Sequence, residues 1–189
     1  MYIVMYSVYM LYLSKQDIGH CTLPFIGLED VMQFQLSLLA VKDVERSKKF
    51  YSDLFDQRVD LDLGKNVTFS GGFAIQEDFA WLTGLSESSV IDRSHNMELY
   101  FEVEDFEGFV EKLNEYPGIE YVHPPMEHEW KQRVVRIYDP DHHIIEIGES
   151  MAVIARRYLA NGYSVEETAK IIQHPVEFVK SCDTRFKTP

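Results

Sequence analysis

Phe34-Gln35-Leu36-Ser37-Leu38-Leu39-Ala40-Val41-Lys42-Asp43-Val44-Glu45 opens a pattern that the chain uses twice. A strand-like run ends at Val41, and Val44, Ser47, Phe50, Tyr51, Leu54 and Phe55 then share one face of a helix, with Asp43 suited to its N-cap. Sixty-two positions on (103 minus 41) the pattern returns as Met97-Glu98-Leu99-Tyr100-Phe101-Glu102-Val103-Glu104-Asp105-Phe106-Glu107. Here Phe106, Phe109, Val110 and Leu113 form the helical face and Asp105 is the second cap. Turn signals at Leu63-Gly64-Lys65-Asn66, Gly71-Gly72, Tyr116-Pro117-Gly118 and Asp139-Pro140-Asp141 divide the remainder of each copy into short strands. Each copy therefore reads as βαβββ. Such a repeat implies that neither half buries its sheet alone and that the halves pair around one cavity.

Composition narrows the class of protein. The chain has 189 residues, 46% hydrophobic and 26% charged, the balance of a folded globular domain. Its formal charge of −13 disfavours nucleic acid and anionic membrane surfaces as partners. Residues 1 to 30 sum to −2 and residues 151 to 189 to +2, so residues 31 to 150 carry all of the −13. Cys21 and Cys182 match no zinc or redox spacing, which fits a reducing, cytoplasmic setting.

Three segments follow. The uncharged run Met1–Leu13 is shorter than the roughly 20 apolar residues that span a bilayer, and lacks the flanks of a secretory signal. Residues 1–31 are read either as an ordered β-like extension covering a hydrophobic edge or as a stretch not normally translated, and the second is favoured because Leu28-Glu29-Asp30 is compatible with codons that place a ribosome-binding sequence ahead of Met32. Residues 32–150 hold the two modules, about 32–90 and 91–150. Residues 151–189 form a helical extension: Met151 to Ala160 stopped by Asn161-Gly162, a capping box at Ser164-Val165-Glu166-Glu167, and a third helix opened by Pro175. The Gly162-Tyr163-Ser164-Val165 stretch is somewhat like the start of a helix-turn-helix, but the small positive charge favours docking on the domain or on a dimer partner.

The duplication, the two Val-x-Asp-[Val/Phe]-Glu junctions, Phe50-Tyr51-Ser52-Asp53-Leu54-Phe55 and Tyr138-Asp139-Pro140-Asp141-His142-His143-Ile144-Ile145-Glu146-Ile147 together resemble the vicinal oxygen chelate superfamily. That group contains glyoxalase I, fosfomycin-resistance enzymes, extradiol dioxygenases and bleomycin-binding proteins. The resemblance implies an α+β fold in which two βαβββ modules form a half-open barrel around one cavity, usually in a homodimer. It implies metal ligands on cavity-facing strands, which fall on Glu146, on Glu98 where relatives carry histidine, and on Gln76. The fourth position falls on Leu36, which cannot bind a metal.

An oxygen-only set of Gln76, Glu98 and Glu146 suits Mg²⁺ or Mn²⁺ better than Zn²⁺ or Fe²⁺. It weakens extradiol dioxygenation and leaves glyoxalase-I-like lyase or isomerase chemistry, with Glu98, Glu146 and His128 as candidate catalytic groups and no nucleotide cofactor. The plainer reading pairs Glu98 and Glu146 with Arg133 or Arg136. Strand alternation gives a cavity apolar on one wall, at Leu36 and Leu38, and acidic on the other, near Tyr100. Trp130, Gln132 and Arg136 share a face leading into it, where an indole could stack on a planar ligand. His142 and His143 read as surface-turn residues. The alternative to the enzyme is a metal-free protein that sequesters a drug-like or cationic small molecule, as bleomycin-binding proteins do.

Overall fold

In the computed structural model residues 32–184 are described, so the expectation for residues 1–31 lies outside them. The first module runs β1 (Ser37–Ala40), α1 (Val44–Phe55), β2 (Val59–Asp62), β3 (Asn66–Phe69) and β4 (Phe73–Gln76). A short helix α2 (Phe79–Thr83) and a 3-10 turn (Glu87–Ser89) lead to the second module: β5 (Glu98–Val103), α3 (Phe106–Glu115), β6 (Glu120–Glu127), β7 (Arg133–Tyr138) and β8 (Ile144–Glu149). Each module makes a four-stranded mixed sheet, ordered β1-β4-β3-β2 and β5-β8-β7-β6. The first and last strands of each are parallel neighbours, which the intervening helix makes sterically accessible. The α+β fold of two βαβββ modules, with sheets that do not close into a barrel, is thus the one expected.

The helices form where the local signals place them. Asp43 accepts from the Arg46 amide at 2.9 Å, and Asp105 from the Gly108 amide at 2.9 Å, each satisfying an N–H that the helix cannot pair internally. The buried residues of α1 are Val44, Ser47, Phe50, Tyr51, Leu54 and Phe55, the six read from the periodicity. Apart from Ser47, they join Leu39, Val41, Val67, Phe69, Phe73, Ile75, Phe106, Leu113, Val135, Ile137, Ile145 and Ile147 in one core that spans both modules. Phe55 stacks obliquely on Phe101 with centroids 4.7 Å apart, so the last turn of the first helix packs on the second sheet. Neither module has a core of its own.

A polar clasp reinforces that pairing. The Asp141 carboxylate, in the turn between β7 and β8, accepts from the Lys42 amide at 3.0 Å, Arg46 Nη2 at 2.8 Å and Ser47 Oγ at 3.1 Å in the first module. Asp139 accepts from the Tyr51 hydroxyl at 2.8 Å and from His143 Nδ1 at 2.8 Å. His142 takes the left-handed backbone conformation (φ 65°) that lets the turn close, while His143 is largely buried beside Asp139.

Burial pulls the His143 pKa down, but the Asp139 hydrogen bond and the charges of Asp139, Asp141 and Asp92 outweigh it, so the net shift is upward. A raised folded-state pKa means the stabilisation is complete below the free histidine value of about 6.5 and is lost as pH rises through the folded value. Thermal melts are therefore expected to lose a few degrees of Tm between about pH 6 and pH 9, and His143→Gln to flatten that slope. Equal slopes in the two proteins would remove His143 from the account.

The tail forms α4 (Met151–Ala160), α5 (Val165–Ile171) and α6 (Val176–Cys182). Ser164 and Glu167 make the capping box in both directions. Met151, Ile154, Ala155, Leu159, Ala169, Ile172, Val179 and Cys182 bury one another in a second core, against which Trp130 of the β6–β7 turn packs. The tail also docks through charge: Glu149 at the end of β8, 1% exposed, is held by Arg133 of β7 and Arg157 of α4. Among the described residues no helix is long and apolar enough to cross a membrane.

Candidate functional site

Strand alternation sorts the second sheet into two faces. Leu99, Phe101, Val103, Val135, Ile137, Ile145 and Ile147 point into the core, so Glu98, Tyr100, Glu102, Val134, Arg136, Glu146 and Gly148 lie on the face away from the helices. The register puts Tyr100, Glu146, Arg136 and His123 side by side on four adjacent strands. On the first sheet the corresponding open face carries Leu38, Ala40, Ala74, Gln76, Asn66 and Thr68, with Leu36 just ahead of β1. One sheet thus offers an apolar and amide surface, the other an ionic one.

Arg136 organises the ionic face. Its Nε donates to Glu98 Oε2 at 2.9 Å, its Nη2 pairs with Glu146, and its Nη1 donates to His123 Nε2 at 3.2 Å. All three guanidinium nitrogens are engaged. Because His123 Nδ1 lies 2.8 Å from the Pro124 carbonyl, it carries the ring proton, and Nε2 is free to accept from Arg136. Glu146 is buried, whereas Glu98 keeps 39% of its side chain exposed at the rim. The carboxylates expected in one place therefore do meet, around an arginine.

The other expected residues are distributed as follows. Gln76 is buried, and its Oε1 accepts from Asn66 Nδ2 at 2.9 Å while its Nε2 donates to the Glu77 carbonyl. Tyr100 is half exposed, its hydroxyl donating to Glu102 and accepting from Gln132, both at 2.8 Å. Burial first, then the Glu102 hydrogen bond, push its phenol up to about 12, so it is neutral at physiological pH. Trp130 and Gln132 bond to each other, and Gln132 is 5% exposed. His128 stacks on Trp130 with centroids 4.1 Å apart, in the hairpin turn that precedes β7. That turn is five residues along the chain from the Arg136 row at His123, on the order of 15 Å of extended strand. Among the described residues no three His, Cys, Asp or Glu side chains gather in a metal-binding cluster.

His123 is the member of the ionic row that sequence reading missed. Strand β6 changes register between Tyr121 and His123 and again between His123 and Met126, around Pro124-Pro125. Each slip reverses which side chains face outward, so counting by twos cannot carry across it. The consecutive prolines were the available signal, since proline in a strand marks an edge or a bulge. A groove of about 400 Å³ lies elsewhere, between α1 and the β7–β8 turn, walled by Lys49, Phe50, Tyr116 and His142 among others, and none of the expected site residues lines it.

Paired βαβββ modules have counterparts among known proteins. Residues 34–152 match the family model described as a glyoxalase-like domain. The chain belongs to the glyoxalase-like family. A crystal structure of a protein of unknown function from Agrobacterium tumefaciens str. C58 is 36% identical, with a TM-score of 0.57, over 66% of this chain and 98% of that one. A glyoxalase-related enzyme from Fulvimarina pelagi aligns at 21% identity and a TM-score of 0.53, over 64% of this chain and 89% of its own. A glyoxalase/bleomycin resistance protein/dioxygenase family enzyme from Burkholderia phytofirmans PsJN aligns at 17% identity and a TM-score of 0.53, over 62% and 98%. No curated protein matches the chain. The glyoxalase-like domain thus accounts for the two modules and leaves the C-terminal helices, apart from the first two residues of α4, outside the match.

Proposed function

We propose that this glyoxalase-like protein binds a cationic small molecule on the open face of its second sheet without a metal ion. The observation that carries this reading is the seat of Arg136. A guanidinium between Glu98 and Glu146 takes up the charge that a divalent ion would need, and Gln76 spends its amide on Asn66 and Glu77. With Leu36 at the fourth position, the donor set as arranged does not fit Mg²⁺ or Mn²⁺. Glu98, Glu102 and Glu146 outnumber Arg136 by two charges on this face (three minus one). Beside them the half-exposed ring of Tyr100 offers a π surface to a cation.

The test is calorimetric titration with phenyltrimethylammonium and with benzenesulfonate, probes of similar size and opposite charge. The cation is expected to bind and the anion not to. Tyr100→Ala removes a cation–π contact worth about 1 kcal/mol, so affinity should fall about fivefold to tenfold. Adding Mn²⁺ should change neither result. Equal binding of both probes, or binding that requires Mn²⁺ and disappears in Glu98→Gln, would overturn the proposal.

A further inference from the structure

The Tyr100 ring is held from behind. Gln132 Nε2 donates to its hydroxyl at 2.8 Å and to the Glu149 carbonyl at 3.0 Å, while Gln132 Oε1 accepts the Trp130 indole N–H at 3.0 Å. Because Gln132 donates to the phenol oxygen, the phenol proton is directed to Glu102, which fixes that carboxylate at the edge of the ring. Only a side chain with an acceptor at one end and donors at the other can make this bridge. Room for it comes from Gly148: a Cβ there would stand 2.6 Å from Gln132 Nε2 and 3.1 Å from the Tyr100 oxygen. The Gly148 backbone is not in the left-handed region, so the requirement is for space alone. At the far end, Trp130 packs against the buried cluster of the C-terminal helices.

We infer that Gln132 is a positioning residue through which the docked C-terminal helices set the orientation of Tyr100 and Glu102 on the ligand-binding face. The inference rests on the reading of that face as a cation site. The chain of contacts is continuous: tail cluster, Trp130, Gln132, Tyr100, Glu102. It gives the helical extension a task in recognition that requires no nucleic acid. Gln132 needs no contact with the ligand, since its amide is already committed within the protein.

Two readouts on the full chain separate this inference from the binding proposal. In protein carrying tyrosine labelled with ¹³C at the ring carbon bearing oxygen, Tyr100→Phe identifies the Tyr100 resonance. Trp130→Phe keeps an aromatic side chain against the tail and removes only the indole N–H, and Gly148→Ala crowds the bridge from the opposite side. Both are expected to shift the Tyr100 resonance and to weaken phenyltrimethylammonium binding about threefold to tenfold, the range of one hydrogen bond. An unmoved resonance in both variants overturns the positioning role. If the probe does not bind the parent protein, the cation proposal fails, and the affinity link with it, while the resonance still reports whether Gln132 holds Tyr100. Shifted resonance with unchanged affinity overturns the claim that the bridge serves recognition.

Discussion

Glu149→Ala is expected to cost about 3 kcal/mol of stability and to loosen the C-terminal helices before the core of the two modules unfolds. The carboxylate accepts from Arg133 Nε at 3.0 Å and Nη2 at 2.9 Å, and from Arg157 Nη1 at 2.6 Å and Nη2 at 3.3 Å. Charge-assisted pairs of this kind are costly to break when one partner is buried, because the partner left behind loses its compensation. Here the arginines retain access to water, with 28% and 43% of their side chains exposed, and Arg133 keeps Glu107. That places the loss nearer the lower end of the usual 3–5 kcal/mol.

The pH dependence has a definite sign. Burial raises the Glu149 pKa, but hydrogen bonds from Arg133 and Arg157 outweigh it and the net shift is downward. Its contribution is therefore full above the free glutamate value of about 4.3 and disappears as pH falls through the lower folded value. Urea unfolding followed by tryptophan fluorescence in a Trp81→Phe background, which leaves Trp130 as the reporter, should show a large gap between parent and variant at pH 7 that shrinks in acid. A variant within about 0.5 kcal/mol of the parent at pH 7 would show that the tail does not depend on this cluster.

Asp139→Ala should have an effect of similar size, about 3 to 5 kcal/mol, because one carboxylate serves four donors. Besides the Tyr51 hydroxyl and the His143 ring, it accepts from the backbone amides of Asp141 at 2.9 Å and His143 at 2.8 Å. The Tyr51 hydroxyl has nowhere else to turn, since the residue is fully buried in the shared core. Tyr51→Phe removes one of the four bonds and should cost only about 1 kcal/mol. The double variant should fall short of the sum by about 1 kcal/mol, because both changes delete the same hydrogen bond. Strict additivity in chemical denaturation would falsify the view that Tyr51 and Asp139 couple helix α1 to the second module.

The fold was legible in the chain because its signals are local. A helix presents every third and fourth residue on one side, so the six buried residues of α1 could be named from spacing alone, and the caps at Asp43, Asp105 and Ser164 needed only the identity of one side chain. Duplication at a fixed interval did the rest. The site was legible only in part. Glu98, Tyr100, Arg136 and Glu146 share one face because β5, β7 and β8 run without a bulge, so alternation carries along each of these strands. His123 was not legible in this way, because β6 slips twice.

Sequence by itself determined two βαβββ modules, their shared core and a capped helical tail, all consequences of periodicities of two and of 3.6 residues read over short spans. Tertiary structure decided which charges meet. Arg136 could have served Glu98 and Glu146 or left them to a metal, and Trp130 and Gln132 could have faced a ligand or the tail. Those choices depend on distances between strands and helices far apart in the chain, where a few ångströms decide whether a carboxylate binds an arginine or an ion.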